Sequence, residues 1–410
     1  MQSILILTST YPRWHKDTEP AFVHFLNRQL ADKYRVIVLA PHYPGASRRE
    51  IMDGILVYRF RYFLPFGEHL AYTGGIITNL KNNRFKLLLV PFFLLAQLVG
   101  LVKLSRRHRV RLIHAHWAIP QCLLAVMSRK LGLVPGNTGI LCTSHGGDLF
   151  ALQGGILQRL KRLAFRLSDH ITVVSRAMKD RLQDLGCSTE NVTVQSMGVD
   201  VTGTFVTDNT IEKTRDPVFV GRLVEKKGVS ILIEALGQLA DDYPSIKLTI
   251  VGDGPDRPVL EQQVSNLGLG RQVEFTGARP NDQVPRFYQS AKIAVVPSVV
   301  AADGDQEGLG LVAVEAMGCG CATIASDLPA LRDVVSHDET GLVFRAADAG
   351  DLAAKLRRLL PDPDLQARLA TNGRRFVVDK FDWNVVGSHY RSIIEACISA
   401  RNPSQDSIRG

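Results

Sequence analysis

Short apolar runs rich in Val and Ile alternate with stretches of helical period along the chain. Residues 3–8, 35–40, 111–116, 140–144 and 171–175 read as a first series of strands, and 217–221, 247–251, 273–277, 292–297 and 322–326 as a second. Between them, residues 21–32, 228–241 and 258–267 carry apolar positions at the helical repeat. Regular β-α alternation predicts parallel sheets covered by helices on both faces. Two such series predict two doubly wound domains rather than one very wide sheet. The pattern breaks near residues 200–213, where V-D-V-T-G-T-F-V-T-D-N-T-I-E-K turns polar. This divides the chain into 1–205, 206–380 and a terminal segment 381–410 that opens with a helix capped by Asp382. In open α/β sheets ligands gather beyond the carboxyl ends of the strands, so the loops there are the first place to look for chemistry.

With 410 residues, the chain has room for two or three domains, each with its own core. Charge supports the division. Residues 1–200 hold 26 Lys+Arg against 12 Asp+Glu, whereas residues 201–410 hold 23 against 28. The basic half suits an anionic membrane or a phosphorylated substrate, and the absence of any nucleic-acid-binding signature argues against nucleic acid. The six cysteines form no CxxC pair and no zinc-ligand spacing, and read as small buried hydrophobes. The N-terminus reads as a first strand and not as a signal peptide. One run stands apart, LLLVPFFLLAQLVGLV at residues 87–102, flanked by Lys81, Arg84 and Lys86 before it and by Lys103, Arg106, Arg107, Arg109 and Arg111 after it. It is shorter than the roughly 20 residues a membrane span needs. Two readings stand: a buried helix of the α/β domain, or an interfacial helix on an anionic leaflet.

Among the loops, V-G-D-G-P at residues 251–255 has Arg257 where a dinucleotide fingerprint has its third glycine, so it reads as a tight strand-to-helix turn. There is no Walker A motif. F-V-G-R-L-V-E-K-K-G at 219–228 ends a buried strand in Gly221 and presents Arg222 and Lys227 ahead of a helix. A forked guanidinium and an ammonium beside a helix start make a natural diphosphate site; two solvated loop cations are the plainer reading. E-G-L-G-L-V-A-V-E at 307–315 brackets a helix opening with Glu307 and Glu315. If that helix starts near Gly310, Glu315 lies about 7–8 Å further along its axis. That separation fits a nucleotide sugar, with one acid for the sugar hydroxyls, backbone N–H groups for the phosphates and one acid for the ribose diol. Asp303, Asp305, Glu307 and Gly308 imitate the start of an EF-hand loop, but its twelfth position is Val314, which excludes that site.

G-R-L-V-E-K-K-G, I-V-G-D-G-P, E-G-L-G-L-V-A-V-E-A-M-G-C-G and T-S-H-G-G-D together resemble the family 4 retaining glycosyltransferases of the GT-B fold, most closely over residues 217–345. The resemblance implies an α/β GT-B architecture, two Rossmann-like doubly wound domains facing a central cleft, with the segment from 381 crossing back to the N-terminal domain. It implies that Arg222 and Lys227 neutralise the donor diphosphate, that Glu307 holds the transferred sugar and that Glu315 holds the ribose. Backbone at Gly221 and along Gly308, Leu309, Gly310 and Leu311 meets sugar and phosphate, backbone near Gly277 meets the base, and His145 sits beside the sugar. The loop 17–23, D-T-E-P-A-F-V, departs from the family's Gly-Gly pattern after the first strand. The implied activity is metal-independent hexosyl transfer, needing no cofactor, from a UDP- or GDP-linked sugar to a hydroxyl of a glycan or lipid-linked acceptor in polysaccharide or glycolipid assembly. The implied location is cytoplasmic or peripheral on the inner face of the membrane. A nucleotide-sugar epimerase of related fold and a catalytically silent nucleotide-sugar-binding module are the rival functions.

Overall fold

The computed structural model describes residues 1–401 except Lys16, Thr18, Pro20, Thr73 and residues 151–153. Thr18 and Pro20 of the loop 17–23, and the tail after 401, therefore lie outside the described residues. The chain forms two compact units. One comprises residues 1–174, 178–198 and the chain from Val386, and the other residues 175–177 and 199–385.

The first unit is built on β1 (Gln2–Leu7), β2 (Tyr34–Pro41), β3 (Arg49–Met52), β4 (Ile55–Phe60), β5 (Leu112–His116), β6 (Gly139–Ser144), β7 (His170–Val173) and β8 (Val192–Val194). They lie in the order β3-β4-β2-β1-β5-β6-β7-β8, all parallel except β3, which runs antiparallel to β4. The central strands β1, β5 and β6 are buried on both faces, which is why their sequences are nearly continuous apolar runs and not alternating ones. The order reverses between β1 and β5, so the loops after β1, β5 and β6 share one switch point.

The helix Val90–Arg107, entered by a 3-10 turn at Arg84–Leu89, corrects the reading of residues 87–102 as a buried helix. Across turn and helix, residues 84–107, only 22% of the most apolar 18-residue stretch is buried. Phe93, Gln97, Leu101 and Leu104 face the unit, while Leu88, Phe92, Leu95 and Val99 are exposed. By length and composition alone the segment is long enough to cross a membrane.

The second unit carries β9 (Val218–Val220), β10 (Leu248–Val251), β11 (Val273–Gly277), β12 (Ile293–Val296), β13 (Ala322–Ser326) and β14 (Leu342–Phe344) in the order β11-β10-β9-β12-β13-β14, all parallel. This is the doubly wound order, with its switch point between β9 and β12. The helices Val229–Gly237, Arg257–Asn266 and Ala349–Leu359 cover the sheet and share one apolar core with it. Asp348 accepts from Asp351 N–H at 2.8 Å and Asp362, followed by Pro363, from Leu365 N–H at 2.9 Å, so both following helices start where their sequences cap them. The last helix, Trp383–Arg401, begins the same way, with Asn384 N–H donating to Asp382 at 2.9 Å.

Candidate active site

At the switch point of the second unit the β9 and β12 loops are pressed together. Gly228 has φ +64°, and a Cβ there would lie 1.9 Å from the Pro297 carbonyl oxygen, so only glycine lets the β9 loop meet the end of β12. The same logic explains V-G-D-G-P. A Cβ on Gly252 would lie 1.8 Å from the Gly221 oxygen, and one on Gly254 2.1 Å from the Leu223 oxygen. These glycines serve close backbone approach, in agreement with the tight-turn reading.

That approach puts Lys227 Nζ 2.7 Å from Glu307 Oε1, with both side chains largely buried. Beside them Lys226 pairs with Asp305 at 3.0 Å. Burial works against charge on Glu307, but Lys227 and then Lys226 outweigh it and hold the carboxyl below the usual glutamate range. Glu307 is followed by Gly308, buried Leu309 and Gly310, whose φ of +87° turns the chain into the helix Leu311–Gly318. The N–H groups of Leu311 and Val312 open that helix without intrahelical acceptors, a ready anion cradle. Glu315 projects from the same helix, half-buried. Burial raises its carboxyl to about 7, against the opposing pull of Lys227 and a hydrogen bond with Tyr288.

Arg222 stands exposed on the β9 loop and, among the described residues, its side chain has no hydrogen-bond or ion-pair partner. Gly277 ends β11, where its carbonyl accepts from Gly252 N–H at 3.0 Å. It lies on the other side of β9 from β12, so the structure does not bring it against the Lys227–Glu307 pair. The motif reading missed Ser298, whose buried hydroxyl just past β12 has no hydrogen-bond partner among the described residues. No spacing in the sequence distinguishes it from any serine after a strand.

In the first unit His145 follows β6 and is enclosed by rings. Phe22, Trp117 and His116 lie with centroids 4.9, 5.0 and 5.1 Å away, the last stacked. Its Nε2 shares a 2.9 Å hydrogen bond with His116 Nδ1. Burial lowers the His145 pKa to about 3, so the imidazole is neutral near pH 7 and its tautomer is coupled to that of His116. His114 lies behind His116, with ring centroids 4.3 Å apart and the rings tilted by 32°, and bonds to Thr143 Oγ1 at 2.7 Å. Asp148 of the H-G-G-D stretch reaches both neighbouring loops. It accepts from Ala118 N–H and Ser144 Oγ, each at 2.8 Å, and from His145 N–H at 3.2 Å. It thus ties the β5 loop to the β6 loop and fixes the backbone of His145. In the sequence, H-A-H at 114–116 puts both histidines on one face of a strand end, a signal passed over. In the loop 17–23, Asp17 folds back on Arg13, accepting from its Nη2 at 2.6 Å and its backbone N–H at 2.8 Å. The helix Phe22–Ala31 then leaves Phe22 N–H in its open first turn.

The family model described as Glycosyl transferases group 1 matches residues 205–376, and that described as Glycosyltransferase Family 4 matches residues 21–202. An uncharacterized glycosyltransferase of Methanocaldococcus jannaschii is 30% identical over 291 residues, covering 70% of this chain and 75% of its own length. A GDP-mannose-dependent alpha-(1-6)-phosphatidylinositol monomannoside mannosyltransferase of Mycolicibacterium smegmatis is 28% identical over 314 residues, covering 73% and 80%. Among solved structures, Anabaena HepE in complex with UDP superposes with a TM-score of 0.71 at 19% identity, covering 96% of this chain and all of that one.

Proposed function

We propose that this chain, which belongs to the family 4 glycosyltransferases, moves a sugar from a UDP- or GDP-linked donor to a hydroxyl of a lipid-linked or membrane-proximal glycan, with retention of anomeric configuration. It is a glycosyltransferase of GT-B fold; the donor, the stereochemistry and the acceptor are the proposal. The observation that carries it is the Lys227–Glu307 pair beside the start of the helix Leu311–Gly318, at the switch point of a doubly wound sheet. A diphosphate has two anionic groups to satisfy, and this corner supplies an ammonium, two open N–H groups and, from Arg222, a fork without a competing partner.

In this reading the barrier lies in departure of the nucleoside diphosphate and in the oxocarbenium charge left on the sugar. Lys227, Arg222 and the helix start stabilise the leaving group electrostatically, so no divalent metal is required. Glu307, kept ionised by its lysines, holds the sugar hydroxyls, Glu315 the ribose diol, and His145, neutral, the sugar near its reacting carbon. Backbone at Gly221, Gly308, Leu309, Gly310 and Leu311 lines sugar and phosphate, and backbone at Gly277 the base. The diphosphate oxygen takes the acceptor's proton on the face it leaves, and no protein nucleophile is needed. Residues 1–205 serve the acceptor and residues 206–380 the donor, with the segment from 381 returning to the acceptor side. The reaction runs in the cytoplasm at the inner face of the membrane.

Glu315 gives this reading a pH signature. Its carboxyl titrates near 7 because burial penalises the charge, so it gains its charge as pH rises through that value. Only the carboxylate accepts from both ribose hydroxyls. Affinity for UDP-glucose or GDP-mannose, whichever binds, is expected to rise about tenfold between about pH 6 and pH 8 and then level off. Isothermal titration across this range checks it, since a sugar diphosphate has no ionisation of its own there. Glu315→Gln should flatten the curve at low affinity; an equal slope in that variant would remove Glu315 from the ribose.

A further inference from the structure

We infer that the first unit carries a lipid-docking face, made by the outer side of the helix Val90–Arg107 and the loop after β4, whose partner is an anionic bilayer leaflet. Leu88 in the entering 3-10 turn and Phe92, Leu95 and Val99 along the helix are 71, 53, 59 and 58% exposed. The spacing of three and four residues from Phe92 to Leu95 to Val99 puts these three on one stripe, and Lys103 and Arg106 continue it. The loop after β4 widens the stripe. Phe63, Leu64 and Phe66 are exposed, and the Phe63 ring lies 6.0 Å from that of Phe92 and 6.4 Å from that of Phe66. Phe85 adds to the other end. The face is thus assembled from segments about thirty residues apart, which no window along the sequence contains.

The inner side of the helix fixes how this face is presented. Phe93 packs against Phe60 and Tyr62 at 5.1 and 5.2 Å, and Gly100 lies so close to Leu39 of β2 that an added Cβ would sit 3.0 Å from it. A helix laid on the sheet in this way lies in the interface rather than crossing it. Charge selects the partner. Exposed Lys81 and Arg84 precede the stripe, exposed Lys103, Arg106, Arg107 and Arg109 end it, and the chain has no Asp or Glu between Glu68 and Asp148. A second copy of this chain would bring the same cations face to face, whereas an anionic leaflet neutralises them while its acyl region takes the phenyl and leucyl groups. The inference deepens the reading of a membrane-proximal acceptor without depending on the donor chemistry.

The test is co-sedimentation of the full chain with vesicles of phosphatidylcholine alone or mixed with phosphatidylglycerol. Binding is expected to the mixed vesicles, weakening as KCl is raised. Lys103→Gln with Arg107→Gln should lower the partition coefficient on the order of twentyfold, near fivefold per charge. Phe92→Ser with Leu95→Ser should lower it by at least about thirtyfold. Nucleoside-diphosphate release measured without vesicles should be the same in wild type and all these variants. It reports the donor reading separately and shows that the variants fold. Absence of wild-type binding to anionic vesicles would overturn the inference, as would undiminished binding by Phe92→Ser/Leu95→Ser. Sedimentation velocity supplies the third arm: self-association abolished by those two substitutions, without vesicle binding, would assign the face to a second copy instead.

Discussion

Lys227→Ala is expected to reduce release of nucleoside diphosphate from the donor by about 10²–10³-fold, the scale for removing one preorganised charge from a developing anion. Lys227 has a structural task as well, because Glu307 is buried against it at 2.7 Å. Removing the lysine alone leaves that buried carboxylate without its contacting partner and with only Lys226 nearby, which costs up to about 3–5 kcal/mol unless the acid takes up a proton. The two tasks separate in the double variant Lys227→Ala/Glu307→Gln. Without the orphaned charge its thermal stability should return close to that of the parent while release stays low. Melting curves and initial rates on the three proteins decide the matter. If the double variant regains activity along with stability, Lys227 is only the partner of Glu307 and the diphosphate is neutralised elsewhere.

Gly228→Ala is expected to destabilise the second unit by about 3–5 kcal/mol, among the largest effects a single added methyl can have. The left-handed backbone at φ +64° accounts for about 1–2 kcal/mol. The rest comes from the Cβ arriving 1.9 Å from the Pro297 oxygen, which forces the β9 and β12 loops apart. Gly268→Ala supplies the control. Its φ of +68° is nearly the same, but nothing lies within 4 Å of the added carbon, so backbone strain alone remains. Chemical denaturation of both variants gives the difference. Because the β12 loop carries Glu307, any Gly228→Ala protein that stays folded should also bind donor weakly. Equal destabilisation at the two positions would mean that the β12 loop yields, and that the contact does not set the site.

The central strands and the loops beyond them were legible because burial on both faces forces continuous Val/Ile runs, and because the loops after β9 and β10 need glycine where backbones touch. Four strands were not legible. The antiparallel β3 (Arg49–Met52) and β4 (Ile55–Phe60) flank Asp53-Gly54, both at positive φ, a hairpin signal present in the sequence but outweighed by the expectation of parallel strands. β8 (Val192–Val194) and β14 (Leu342–Phe344) have three residues each, too few to show a period. The site was readable as motifs but not as contacts. Lys226 and Lys227 are adjacent and alike in sequence, and only the fold gives one to Asp305 and the other to Glu307. The coupling of His116 to His145 across two strands, and the widening of one exposed helix stripe by a distant loop, likewise exist only once the chain is folded.

Retaining, metal-independent sugar transfer is tested most directly by following nucleoside-diphosphate release across a panel of UDP-, GDP- and ADP-sugars with EDTA present, adding polyprenyl-linked glycans as acceptors and determining the anomeric configuration of the product. One UDP- or GDP-sugar should be cleaved despite the chelator, and the new linkage should keep the donor's configuration. Donor returned as an altered sugar nucleotide without diphosphate release, or donor bound and left intact across the whole panel with acceptor present, would contradict it.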